Sequence, residues 1–144
     1  MIVLDVNLLI YAADGNAVLH EVACRWLQSI ISGSELIGLP WQTIDRFLRI
    51  STNRRVSGGQ VSIEQSIGAI QQWMCLPQVR VLSPGERHWG ILKDMLTEGQ
   101  ATGPLTTDAE LAALTIEYGG VLHTTDRDFA RFPGLRWVNP LAAT

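Results

Sequence analysis

Long apolar runs are missing from this chain of 144 residues, and no stretch approaches the roughly 18 consecutive apolar residues of a membrane helix. Its start has no basic segment of the kind that opens a secretory signal, so a cytoplasmic location with no membrane contact is expected. Cysteine is scarce. Cys24 and Cys75 have no metal-ligand spacing and sit in apolar helical contexts, as reduced, packed thiols do. His20, His88 and His123 are scattered without a zinc pattern. Net charge is −3, which excludes a simple polycationic nucleic-acid binder but leaves room for an acidic metal site flanked by local basic patches. A phosphate loop, internal repeats and low-complexity stretches are absent as well.

What is present is ordinary globular composition, 47% hydrophobic and 17% charged, at a length that fits one domain spanning 1–144. Ile2-Val3-Leu4 reads as a short strand buried on both faces. Asn7 can cap a first helix to Ala13, and Val22, Ala23, Trp26, Leu27, Ile30 and Ile31 repeat at helical spacing within Val18 to Ser32. Leu36 to Leu39 is a second strand, and Pro40 opens a third helix from Trp41 to about Thr52. Residues 53–60 read as loop. Ser62 with Gln65 forms a capping box for a fourth helix, followed by a strand over Val79 to Leu82. Ser83 with Glu86, and Thr107 with Glu110, have the same spacing and predict two more helix starts. Gly119-Gly120 stop the latter helix before a strand at Val121 to Thr124, and a short turn from Phe129 leads to a last strand, Leu135 to Val138. Strands separated by helices, with no hairpin signals, predict an α/β fold with a mostly parallel central sheet of about five strands.

In such a sheet the carboxyl ends of the strands share one rim, where ligands bind. Asp5 follows the first strand and Asp126 the fourth, so both can face one crevice. Asp108, expected at the first position of its helix, can reach the same place. Asp45 joins if its helix packs across the opening, which the apolar neighbours Trp41, Ile44 and Leu48 favour. Carboxylates converging with no Lys or Arg between them raise one another's pKa, a penalty that a divalent cation removes. All-oxygen ligands suit Mg²⁺ or Mn²⁺, and such an ion activates water for attack on a phosphodiester. Each acid also has a plain structural role open to it. Asp5, Asp126 or Asp128 can cap the following helix or turn, Asp108 can complement a helix dipole, and Asp45 can sit in solvent.

Four stretches together carry a resemblance: Ile2-Val3-Leu4-Asp5-Val6-Asn7; Leu39-Pro40-Trp41 leading to Phe47-Leu48-Arg49-Ile50; Thr107-Asp108-Ala109 with Leu111-Ala112-Ala113; and Thr125-Asp126-Arg127-Asp128-Phe129 running into Arg131 to Leu135. In this order, across the whole chain, they resemble the PIN-domain family, and more narrowly the VapC toxins of bacterial VapBC toxin–antitoxin pairs. The resemblance implies a three-layer α/β/α domain and a Mg²⁺- or Mn²⁺-dependent endoribonuclease. It also implies inhibition by a small VapB-like antitoxin and assembly as a homodimer, or as a toxin–antitoxin hetero-oligomer. By position, Asp5, Asp108 and Asp126 match the family's metal-binding acids. Asp45 falls where the family usually has Glu, one methylene longer, so contact through water is implied there. Asp128 matches an accessory acid, and Asn7 and Thr124 match polar positions that hydrogen-bond the acids.

Arg46, Arg49, Arg54 and Arg55 form one basic stretch, and Arg87, His88 and Lys93 another. Beside an acidic site these can hold RNA phosphates, or they are solvated helix faces. Trp41, Trp73 and Trp89 can stack bases or fill core, with core expected for Trp73. For an antitoxin groove the resemblance points to Leu9, Tyr11, Trp26, Ile30 and Phe47, most of them expected as plain core. Three other readings remain open: a PIN nuclease acting on DNA, an inactive PIN-like binding module, and a phosphatase with an aspartyl nucleophile at Asp5. The last usually carries a second Asp two residues on, where this chain has Asn7.

Overall fold

The computed structural model describes residues 1–53 and 61–142. Strand β1 (Ile2–Leu4) is followed by helices α1 (Val6–Ala13) and α2 (His20–Ile31). Then come β2 (Ile37–Pro40), α3 (Trp41–Ser51), α4 (Ile63–Met74), β3 (Val79–Leu82), α5 (His88–Glu98) and α6 (Leu105–Glu117). Strand β4 (Val121–His123), a 3-10 turn (Arg127–Arg131) and β5 (Trp137–Val138) complete the order.

The five strands pair in parallel in the order β3-β2-β1-β4-β5. The chain therefore lays β2 and β3 on one side of β1, then crosses over to place β4 and β5 on the other. This reversal makes the gap between the carboxyl ends of β1 and β4 the topological switch point, where open α/β sheets form their crevice.

Alternation along β1 divides the core. Ile2 and Leu4 face a cluster with Leu8 and Leu9 of α1, Trp26 of α2, Ile44 and Phe47 of α3 and Ile70 of α4. Val3 faces the opposite cluster, with Met95 of α5, Leu111 and Leu114 of α6, Phe129 of the 3-10 turn and Phe132 just after it. Two helical layers thus sandwich the sheet, as the three-layer expectation required. The buried helical faces supply most of the stability, because isolated helices of 8–13 residues are marginal in water.

Local starts depart from the expected ones for identifiable reasons. Asp5, not Asn7, caps α1. Helix α2 begins at His20, two residues after Val18, which is fully exposed. The Ser62–Gln65 capping box forms as expected. The Ser83–Glu86 box does not: the Glu117 carboxylate accepts from the backbone N–H groups of Gly85 (2.9 Å) and Arg87 (3.0 Å), and α5 starts only at His88. Helix α6 starts at Leu105, behind Pro104, so Thr107 is already inside the helix and caps nothing. Gly119 ends α6 with a positive φ of 67°, the conformation that ordinary side chains resist. Cys24 is partly buried, whereas Cys75 at the end of α4 is exposed rather than packed. No helix among the described residues is long and apolar enough to cross a membrane.

Candidate metal centre

The register that sets Leu4 opposite His123 brings Asp5 alongside Thr124. The Thr124 hydroxyl donates to Asp5 Oδ2 at 2.6 Å, and the Val6 N–H donates to Asp5 Oδ1 at 2.7 Å. Asp5 is therefore a helix cap and a rim acid at once, and it is only 3% exposed. Thr124, itself fully buried, also accepts from the Asp126 N–H at 3.0 Å. One hydroxyl thus ties the acid after β1 to the acid after β4. Asp126 in turn caps the 3-10 turn by accepting from the Asp128 N–H at 2.9 Å.

Across the opening, the first turn of α6 presents Asp108. Carboxylate oxygens of Asp108, Asp126 and Asp128 all lie within 4.8 Å of one another. Asp5 stands next to this trio rather than inside it, close enough that its charge and theirs are felt mutually.

Burial pushes the Asp5 carboxyl above its ordinary range and the charge of Asp126 adds to this, against the hydrogen bonds from Thr124 and Val6. Asp108 is pushed up to about 6, first by burial and then by Asp126. Mutual repulsion of the acids thus operates, but desolvation outweighs it.

The sign of the pH effect follows. A carboxyl with a raised pKa stabilises the fold most when protonated, so in the absence of an ion this contribution is lost as pH rises from about 4 to about 6. A cation needs the same group ionised. Mn²⁺ affinity is expected to fall at least roughly tenfold between pH 7.5 and pH 5. Calorimetric titration at the two pH values measures this directly.

Helix α3 holds the main correction. Its buried residues are Thr43, Ile44, Phe47 and Ser51; of the expected Trp41, Ile44 and Leu48 face only Ile44 is buried, Trp41 being exposed and Leu48 half-buried. Two of the four are hydroxyl residues, buried because Thr43 donates to the Leu4 carbonyl (2.8 Å) and Ser51 shares a 2.7 Å hydrogen bond with Ser66. These contacts turn the helix so that Asp45 is exposed, outside the acid trio, while Arg46 is half-buried on the flank near the acids. The rim is therefore not free of basic groups: the Arg46 guanidinium lowers the pKa of both Asp5 and Asp108.

Gln42, one turn before Arg46, gave no signal in the sequence, yet its Nε2 donates to the Thr107 carbonyl at 2.9 Å. It links the start of α3 to the residue before Asp108. Asn7 lies within the first turn of α1, and among the described residues no hydrogen bond joins its side chain to an acid.

The donor set suits a hard divalent cation. It contains only oxygen, one ion can touch several members of the trio, and binding would relieve the penalty on the ionised acids.

A family model for the PIN domain matches residues 2–135, nearly the whole chain. The chain belongs to the PIN domain family. Among its relatives, ribonuclease VapC33 of Mycobacterium tuberculosis is 38% identical over 141 residues, covering 98% of this chain and 99% of the relative. Ribonuclease VapC37 of the same organism is 33% identical over 142 residues, 99% of each chain. Solved structures share the fold at lower identity. A chain of the structure of FitAB bound to a DNA fragment superposes with a TM-score of 0.74 at 18% identity, covering 100% of this chain and 98% of that one. Mycobacterium tuberculosis VapC20, described as a sarcin-ricin loop cleaving toxin, gives 0.69 at 16% identity, covering 94% and 99%.

Around the acid rim of this PIN domain, the other basic candidates are unequally placed. Arg49 is exposed on α3. Arg87 is exposed, but its guanidinium donates to the Glu117 carbonyl at 2.6 Å. Arg54 and Arg55 lie outside the described residues. Trp41 and Trp89 are 54% and 64% exposed, whereas Trp73 packs edge-on against Phe47. Leu9, Trp26 and Phe47 are core, while Tyr11 and Ile30 are half-buried.

Proposed function

We propose that residues 1–144 form a single PIN unit acting as a VapC-type toxin, an endoribonuclease that hydrolyses RNA phosphodiester bonds with Mg²⁺ or Mn²⁺. The observation that carries this reading is the trio of carboxylates gathered within 4.8 Å at the switch point of the sheet, beside the buried Asp5. The similarity to proteins named VapC ribonucleases supports RNA as the substrate class. We assign Asp108 and Asp126 to direct ligation, with Asp5 and Asp128 completing the acid wall. Asp45 is left out of the direct set because its carboxylate stands in solvent.

A bound divalent cation would supply an easily ionised water and offset negative charge on the phosphoryl oxygens. The chain's own residues do the rest. Thr124 and the Val6 N–H fix both oxygens of Asp5, and Asp126 is held by its own turn, so the acids keep their places without reorganising during the reaction. Hydrolysis joins a water oxygen to phosphorus and breaks the bond from phosphorus to one ribose oxygen. Overall, one proton passes from the water to that leaving oxygen. We further infer a cytoplasmic protein that forms a homodimer and is held in check by a VapB-like antitoxin. Solved neighbours that are VapBC complexes support the latter reading.

Incubating a structured RNA and a single-stranded DNA of the same sequence with Mn²⁺, with and without excess EDTA, tests the assignment. RNA should be cut, DNA spared, and EDTA should stop the reaction. Equal cutting of RNA in EDTA, or faster cutting of DNA, would overturn it.

A further inference from the structure

Arg46 is the one described cation whose charge reaches both Asp5 and Asp108. Its place is fixed from two sides. Thr43, three residues earlier, is bonded to the carbonyl of Leu4, the residue before Asp5. Gln42, one turn earlier on the same flank, is bonded to the carbonyl of Thr107, the residue before Asp108. The half-buried Arg46 side chain thus leaves α3 beside the gap between the two acids.

It nevertheless pairs with neither. Among the described residues no carboxylate forms a salt bridge with Arg46, and its Nε is buried with no hydrogen-bond partner. A guanidinium usually settles such a position by a forked bond to the nearest carboxylate. Here a half-exposed guanidinium side chain stands beside an acidic wall with its Nε unpartnered. A ligand that suits it is anionic, offers oxygen acceptors in a planar or tetrahedral array, and enters next to the metal centre. A phosphodiester meets all three conditions, and Arg is the side chain best matched to it.

We propose that Arg46 binds a non-bridging oxygen of the scissile phosphate, opposite the metal-holding acids, and so takes up negative charge as water adds to phosphorus. This assignment rests on the ribonuclease reading above. It gives α3 a cationic role at the place where sequence reasoning put a fourth acid.

A purely structural Arg46, one that only keeps Asp5 and Asp108 from repelling each other, predicts different behaviour. Removing it would then weaken Mn²⁺ binding and stability together with activity. A phosphate-binding Arg46 instead competes electrostatically with the ion, so its removal leaves Mn²⁺ binding as tight or tighter while catalysis fails.

The test uses the full chain with Arg46→Gln and Arg46→Lys, and reads two quantities: Mn²⁺ affinity by calorimetry without RNA, and cleavage of RNA carrying a single phosphorothioate of each stereochemistry at the scissile position. Expected for Arg46→Gln are a kcat lower by about 30–300-fold, a smaller change in KM, and unchanged or tighter Mn²⁺ binding. The wild type should discriminate between the two sulfur isomers, and the variant should lose that discrimination. Arg46→Lys should recover part of the rate, since it keeps the charge without the fork. Mn²⁺ binding that weakens in parallel with activity, or a kcat within threefold of wild type, would overturn the proposal. A wild type that leaves RNA intact in Mn²⁺ overturns the ribonuclease reading itself. An active wild type with an equally active Arg46→Gln overturns only the assignment of Arg46.

Discussion

Replacing Asp108 by Asn is expected to make the ion-free protein more stable while removing its activity. Its carboxyl is raised to about 6 by burial and by the charge of Asp126, so at pH 7.5 the folded chain holds an ionised group that it would rather keep neutral. Each pKa unit is worth about 1.4 kcal/mol. Because the group is partly open to solvent, a gain of about 1 kcal/mol is the realistic figure. The amide also removes a ligand from the trio, and outer partners of metal sites alone are commonly worth roughly 10–100-fold. RNA cleavage should therefore fall by at least about 100-fold. Thermal unfolding in EDTA, paired with cleavage in Mn²⁺, checks both halves.

Asp5→Asn makes the contrast. It should lose activity too, but gain less stability. Its carboxyl is likewise raised by burial, so removing the charge helps, yet both of its oxygens accept hydrogen bonds that an amide cannot both keep. An amide offers one acceptor for the Val6 N–H and turns a donor toward Thr124, whose hydroxyl proton then needs a new partner. The lost hydrogen bond costs about 1 kcal/mol and offsets the gain from removing the buried charge. If Asp108→Asn were destabilising in EDTA, or Asp5→Asn stabilised more than Asp108→Asn does, the electrostatic description of the rim would be wrong.

The largest effect on stability is expected from Phe47→Ala. Phe47 is 1% exposed, lies in the cluster that joins α1, α3 and α4 to the sheet, and meets Trp73 edge-on at a centroid distance of 5.0 Å. Truncation loses the buried ring and the aromatic contact, and leaves a void beside a surface pocket of about 250 Å³ lined by Ala13, Phe47, Val61, Gln65, Ser66 and Ala69. A loss of about 3–5 kcal/mol follows, read from denaturant unfolding at constant m-value. The effect extends to function, since α3 carries both Gln42 and Arg46 to the rim. A change under about 1 kcal/mol would mean that α3 is not anchored by this core.

The alternation of strands and helices was legible because the strands are short, mostly apolar runs bounded by turn residues and the helices carry apolar residues at helical spacing. Parallel pairing then placed Asp5 and Asp126 on one rim, as the order of β1 and β4 shows. Helix α3 was misjudged for a physical reason. A stripe drawn through apolar residues omits Thr43 and Ser51, whose hydroxyls are buried through their hydrogen bonds to Leu4 and Ser66. Including them turns the inner flank from Asp45 toward Arg46. The start of α5 failed similarly, because the carboxylate that serves its approach belongs to Glu117, some thirty residues along the chain. A local capping signal cannot register a partner that far away.

The acids at the switch point are expected to hold one divalent cation, with RNA cut beside it. Titrating Mn²⁺ into the wild type and Asp126→Asn at pH 7.5, while following bound ion and RNA cleavage in the same samples, tests this most directly. Cleavage by the wild type should rise in step with a saturable binding event, and Asp126→Asn should lose both together. Cleavage that runs at full rate before the ion binds, or equal Mn²⁺ affinity in the two proteins, would contradict it.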